Sequence, residues 1–184
     1  MPLVLVKEDG TGLADANSYA SVADGDAYHL GHLYATAWTG ATAANQAAGL
    51  VMATRIIDAM FNFHGYKCTN TQALQWPRQD CRDPDALPAN PLWPLVIGSP
   101  YLDATKVPPV VIAATCEFAR ALLVADRTAN PSGEGLKELK LDVLDFKFLP
   151  ADRQPVAPDL VQKMLSKIAA YLGSGSGTAR LVRV

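Results

Sequence analysis

His64, Cys68 and Cys81 come nearer than any other residues of this chain to the types and spacing of a metal site. Zinc takes four thiolate, imidazole or carboxylate ligands, and structural sites draw them from closely spaced Cys or His pairs. Here the fourth ligand is missing and no close cysteine pair exists, so no metal is expected. His29 and His32 lie three apart on a helical segment, without the acidic partner of a metalloprotease helix. No nucleophile elbow occurs, and no Ser/His/Asp or Cys/His set suggests itself. Gly173 to Gly177 lacks the lysine and the preceding strand of a phosphate-binding loop. The acidic pairs Asp24/Asp26 and Asp80/Asp83 read as caps, turns and solvated faces. The expectation is a protein with no catalytic residue, no metal and no cofactor.

Another kind of site is suggested by Thr71-Gln72-Ala73-Leu74-Gln75-Trp76-Pro77-Arg78. Trp76 precedes a proline and is biased away from helical geometry, so any short helical turn over 71–75 must stop there. Thr71 can cap that turn. The result is a large apolar ring and a guanidinium held at one corner. Trp76, Pro77 and Arg78 are therefore read as a structural corner motif, with Trp76 buried and Arg78 paired to an acid or to backbone carbonyls.

The chain that must position these residues has 184 amino acids, 49% hydrophobic and 18% charged, enough for one domain with a real core. Its formal net charge is −2, with lysines and arginines scattered among acids, as in Lys137-Glu138 and Asp145-Phe146-Lys147. Dedicated nucleic-acid binders usually carry a basic stripe. No stretch approaches the roughly 20 apolar residues that a membrane helix needs. Residues 1–8 lack the basic lead of a signal peptide. The three cysteines, Cys68, Cys81 and Cys116, are an odd number without close spacing, and read as free thiols of a reducing compartment.

The elements read as a mainly α (α+β) fold, a helical bundle of about four helices in a single domain over 1–172. A short strand is expected at 2–6, and Ser21 with Asp24 has the spacing of a capping box before a helix running to about Leu33. A second helix spans about 42–62, with Leu50, Ala53, Ile57, Met60 and Phe61 on one face. The segment 63–107 is proline-rich and irregular, a length that usually signals function or interaction. Its apolar residues Leu92, Trp93 and Ile97 are candidates for a partner or subunit interface. Pro108 and Pro109 open a third helix over 110–127, where proline's missing N–H has no helical partner to lose. Glu117, Arg120 and Arg127 make its one polar stripe. Residues 136–148 alternate as a strand or hairpin. A last helix is expected over about 159–172, with Leu160, Met164, Leu165, Ile168 and Leu172 inward and Gly173 as its cap. Residues 173–184 read as a flexible linker followed by a β-prone docking tail, Arg180, Leu181, Val182, Arg183 and Val184.

Asn17-Ser18-Tyr19, Arg55-Ile56-Ile57-Asp58, Gln72-Ala73-Leu74-Gln75-Trp76-Pro77-Arg78, Val107-Pro108 and the closing Arg180-Leu181-Val182-Arg183 together resemble a phage and prophage family. That family carries the label of DnaT-like single-stranded DNA-binding proteins, and its helical pattern is similar to that of head–tail adaptor (head-completion, connector) proteins. The chain departs from it in a longer insertion at about 84–106 and in Cys81, which stands where a glycine is usual. The adaptor resemblance implies a structural virion protein at the head–tail junction, made in the host cytoplasm. Its partners would be a portal protein, identical subunits in a ring of about twelve, the next neck or tail protein, and passing double-stranded DNA held without sequence-specific binding. No membrane is implied. The alternative is single-stranded DNA binding in phage replication. The missing basic stripe, and aromatics not interleaved with Lys and Arg along the sequence, weigh against it and predict weak or no binding.

Overall fold

The computed structural model describes residues 3–86, 99–129 and 155–172, together with the backbone of 138–141 and 144–147. Its elements in order are α1 (Val22–Leu30), α2 (Thr36–Thr39), α3 (Ala43–Met60), β1 (Phe61–Phe63), β2 (Tyr66–Lys67), β3 (Arg78–Gln79), α4 (Pro109–Val124), β4 (Glu138–Leu141), β5 (Leu144–Lys147), α5 (Asp159–Leu165) and β6 (Ala169–Tyr171). The fold is mixed and mainly helical, with short antiparallel strand pairs at its edges.

Helix α4 is the centre. Helices α1, α2, α3 and α5 all pack on it, α3 most extensively. Small residues allow that approach: Gly49 and Ala53 of α3 and Ala114 and Ala119 of α4 are buried, with larger Leu50, Ile57, Val111 and Phe118 between them. A methyl group at Gly49 would already touch Ala119 and Leu123, at 3.5–3.7 Å. The expected polar stripe is engaged as well, although α4 ends at Val124, short of the expected 127, and leaves Arg127 beyond it. Glu117 is buried against Arg120, and Arg127 donates to the carbonyls of Val156 (2.9 Å) and Pro155 (2.8 Å) ahead of α5.

Local chemistry sets the helix ends. Ser21 Oγ accepts from the Asp24 amide (3.2 Å) and the Asp24 carboxylate accepts from the Ser21 amide (2.7 Å), a complete capping box. Helix α1 stops at Leu30, three residues before the expected end, and the Thr36–Thr39 turn forms a separate short helix. Thr42 caps α3, which ends when Phe61 turns extended (φ −121°, ψ 131°) and starts β1. β1 pairs antiparallel with β6, Phe61 opposite Tyr171 and Phe63 opposite Ala169.

That pairing corrects the last helix. It ends at Leu165, and the chain returns as β6 because β1 offers an edge and a ring, with Phe61 and Tyr171 centroids 5.1 Å apart. Leu165 and Ile168 are buried as expected, but Leu160 and Leu172 are exposed. The N-terminal segment is extended, yet its pairing reduces to a single parallel bridge between Lys7 and Ser18. β4 and β5 pair antiparallel, with Glu138 opposite Lys147 and Leu141 opposite Leu144.

The segment 63–107, expected to be irregular, is stapled where it is described. β2 pairs with β3, and an antiparallel bridge joins Arg82 to Tyr101. Leu92, Trp93 and Ile97, and the tail residues Arg180, Leu181, Val182, Arg183 and Val184, lie outside the described residues, as does Gly173.

Candidate functional site

Three of the sequence motifs meet at one point. Tyr19 is fully buried after the extended N-terminal segment, and its hydroxyl donates to Asp58 on the last turn of α3. The Gln75 amide donates to both Tyr19 Oη and Asp58 Oδ2, at 3.0 Å each, and the Trp76 amide reaches Tyr19 Oη at 3.3 Å. Burial pushes the Asp58 carboxyl up to about 6, against the opposing pull of these hydrogen bonds. Burial, then the neighbouring Asp58 charge, raises the Tyr19 phenol well above its ordinary value.

Beside this node Trp76 is wholly buried, edge-on to Phe63 with centroids 5.8 Å apart, and the Trp76–Pro77 peptide is cis. Arg78 is 8% exposed, and its partners are carbonyls rather than an acid. Nε donates to His64 O (2.8 Å), and Nη2 to Phe63 O (3.1 Å) and Gly65 O (2.5 Å). Nη1 donates to the backbone and side-chain oxygens of Gln75, at 3.3 and 2.9 Å. Three consecutive carbonyls at the end of β1 thus converge on one planar fork, geometry that a guanidinium supplies and an ammonium does not. Gln72 works similarly: Nε2 donates to Leu74 O and Pro77 O while Oε1 accepts from the Thr69 amide. The corner holds the chain; its reactive atoms face other protein atoms.

The residues weighed as metal ligands stand apart in role. His64 is exposed, Cys81 is buried, and Cys68 Sγ donates to Ala104 O at 3.3 Å. Burial raises both thiols. His29 is buried on α1, where its Nε2 donates to Cys116 O (3.1 Å), since a carbonyl can only accept. Desolvation lowers its pKa. His32 lies 3.8 Å from Glu117. Asp24 and Asp26 are structural acceptors, Asp24 in the α1 cap and Asp26 for Trp38 Nε1 (2.8 Å).

The surface outside the corner is different. Arg78 and Gln79 pair with Tyr66 and Lys67, and a few residues on Arg82 pairs with Tyr101, so 78–83 is the common partner of two flanking segments. Leu102 N donates to Cys81 O (2.8 Å) and Asp83 N to Pro100 O (2.9 Å). Asp80 between the pairings takes a left-handed conformation (φ 57°). Tyr66 is 66% and Tyr101 47% exposed, and Lys67 and Arg82 are exposed beside them. The same ribbon carries exposed Asp80 and Asp103. It runs on through Lys106 to an open cleft of about 430 Å³, lined by Lys7, Glu8, Asp9, Lys106, Val107 and Ile112. Sequence reading missed this grouping because Tyr66-Lys67 and Tyr101 are more than thirty positions apart; only Tyr66 beside Lys67 was a local signal.

A family model described as "Putative DnaT-like ssDNA binding protein" matches residues 1–184. The chain belongs to this family. No curated protein and no solved structure matches it.

Membership corrects the functional expectation. The family description names single-stranded DNA, so the head–tail adaptor reading falls. With it fall its virion role and its partners: the portal, the ring of about twelve identical subunits, the next neck or tail protein and passing double-stranded DNA. Its physical basis was also thin. Much of the apolar surface of α4 is covered within the chain, where Val111, Ala114, Cys116, Phe118 and Ala119 are buried. The motifs that carried the resemblance, Tyr19, Asp58 and Trp76, build the interior and so mark the fold rather than a partner.

Proposed function

We propose that this protein binds single-stranded DNA, without catalysis. The observation that carries the reading is the match of the DnaT-like family over the whole chain, residues 1–184. The exposed surface supports it: solvent-facing tyrosines stand next to lysine and arginine, the pairing of stacking platform and cation that non-specific single-strand binders use. Fluorescence anisotropy with a labelled oligothymidylate at physiological salt tests it. Saturable, length-dependent binding, competed by unlabelled single strands and poorly by duplex, is the expected result. Absence of binding at tens of micromolar protein would overturn the reading.

A further inference from the structure

We propose that the single strand follows one track, its bases stacking on Tyr66 and Tyr101 and its backbone passing Lys67 and Arg82 towards the cleft between Lys7 and Lys106. The inference rests on the single-strand-binding reading above and adds the place and the chemistry.

Both rings present much of their surface to solvent. Tyr66 stands on a two-residue strand and Tyr101 on a single bridge, 66% and 47% exposed, although each backbone is fixed by its pairing with residues 78–83. That central segment is itself immobilised, by the five hydrogen bonds of Arg78 and by buried Cys81. Rings presented on fixed backbone lose little entropy when a base settles on them. Arg82 stands opposite Tyr101 in register, and Lys67 follows Tyr66 on β2, where it projects to the other face of the strand with its ammonium 3.4 Å from the Gln72 carbonyl.

The cleft continues the track, because Lys106 ends the segment that begins at Tyr101. Its floor includes Val107 and Ile112, an apolar surface suited to the face of a base. Its two acids are already engaged. Glu8 accepts from the amides of Gly10, Gly12 and Leu13, each at 2.9 Å, and Asp9 accepts from the Thr11 amide and hydroxyl. The two lysines at its rim are shared with acids in exposed ion pairs, Lys7 with Asp24 (2.7 Å) and Lys106 with Asp103 (3.0 Å), so each must exchange a carboxylate for a phosphate. Acids along the ribbon, Asp80 and Asp103 among them, oppose phosphate, so stacking must carry most of the affinity. A duplex, whose bases already stack on one another, gains little here.

The test measures oligothymidylate binding by full-length Tyr66→Ala, Tyr101→Ala and the double variant, with Tyr66→Phe and Tyr101→Phe beside them. Tyr34→Ala serves as control, because Tyr34 is 76% exposed but lies outside the track. Each track alanine should weaken binding roughly 5- to 150-fold, about 1–3 kcal/mol per stacked base, with the melting temperature unchanged. Phenylalanine should restore most of it, and Tyr34→Ala should bind as the wild type does. Wild-type affinity in the double variant, or an equal loss in Tyr34→Ala, overturns the track and leaves single-strand binding standing. No binding by the wild type removes the parent reading and the track with it.

Discussion

At the scale of single residues, the corner at 76–78 acts through what it satisfies. Arg78 closes three successive carbonyls, those of Phe63, His64 and Gly65, that no β-ladder reaches together. Lysine brings one nitrogen where the guanidinium brings three, so Arg78→Lys leaves buried acceptors unpaired. It should cost about 2 kcal/mol or more in urea unfolding. Trp76→Ala empties a fully buried site and should cost about 3–5 kcal/mol, read as a lower melting temperature and lower soluble yield. Asp58 gives the node a pH signature. Its carboxyl stands at about 6 in the folded protein against an ordinary 3.8, so the folded state holds the proton more tightly. Its contribution is fully present below about pH 4 and is lost as pH rises through 6. His29, with its pKa lowered by burial, works in the opposite sense below its ordinary value, so the wild-type curve alone mixes the two. Subtracting Asp58→Asn isolates the carboxyl: the stability difference, wild type minus variant, should fall between pH 4 and 6 and be flat above 7. Urea midpoints at those pH values check it, and a difference that rises with pH would show that the hydrogen bonds from Tyr19 and Gln75 outweigh burial.

At the scale of elements, two glycines six positions apart should respond with opposite sign. Gly25 lies within α1, where alanine is ordinarily favoured by about 1 kcal/mol. A Cβ there falls on the indole of Trp38, itself buried and held by Asp26, so neither side can give way. Gly25→Ala should therefore destabilise by about 1–3 kcal/mol despite its helix propensity. Gly31 caps the same helix at φ −90°, and a methyl group added there would meet nothing within 4 Å, so Gly31→Ala should stabilise by about 0.4–1 kcal/mol. Thermal melts of the two variants compare them directly. The elements themselves were legible where the chemistry is local: the Ser21–Asp24 cap, the Thr42 start of α3, the proline entry to α4 and the alternation at 138–147 all act within a few residues. The ends of α3 and α5 were not, because β1 and β6 stabilise each other across more than a hundred positions. The periodicity of 159–172 continues as though helical, while the pairing partner that stops it lies at Phe61–Phe63.

At the scale of the whole molecule, the structural role of the corner was legible in sequence but its partners were not. Trp76 before Pro77 marks a buried corner by residue type and order, whereas only the fold shows what it meets, Tyr19 and Phe63, and that Arg78 closes the end of β1. The proposed track was hidden for the converse reason: Tyr66-Lys67, Arg82 and Tyr101 are unremarkable one by one and become a group only through the pairings of 78–83. Net charge is the sharpest whole-molecule constraint on how such a surface works. At −2 overall, the protein cannot draw in a polyanion by its mean field, and binding must be short-ranged. Counterion release then makes a quantitative statement. Each phosphate neutralised on a single strand adds about −0.7 to the slope of log affinity against log salt. If Lys67, Arg82 and Lys106 neutralise one phosphate each, the slope is about −2, and raising salt from 50 to 200 mM weakens binding only about 18-fold. Lys67→Ala should weaken binding modestly and reduce the slope by about 0.7, whereas Tyr66→Ala should weaken it more and leave the slope unchanged. Salt titrations of the wild type and these two variants separate charge from stacking. A wild-type slope steeper than about −5, with tyrosine substitutions silent, would place the binding on a phosphate-gripping surface elsewhere in the chain.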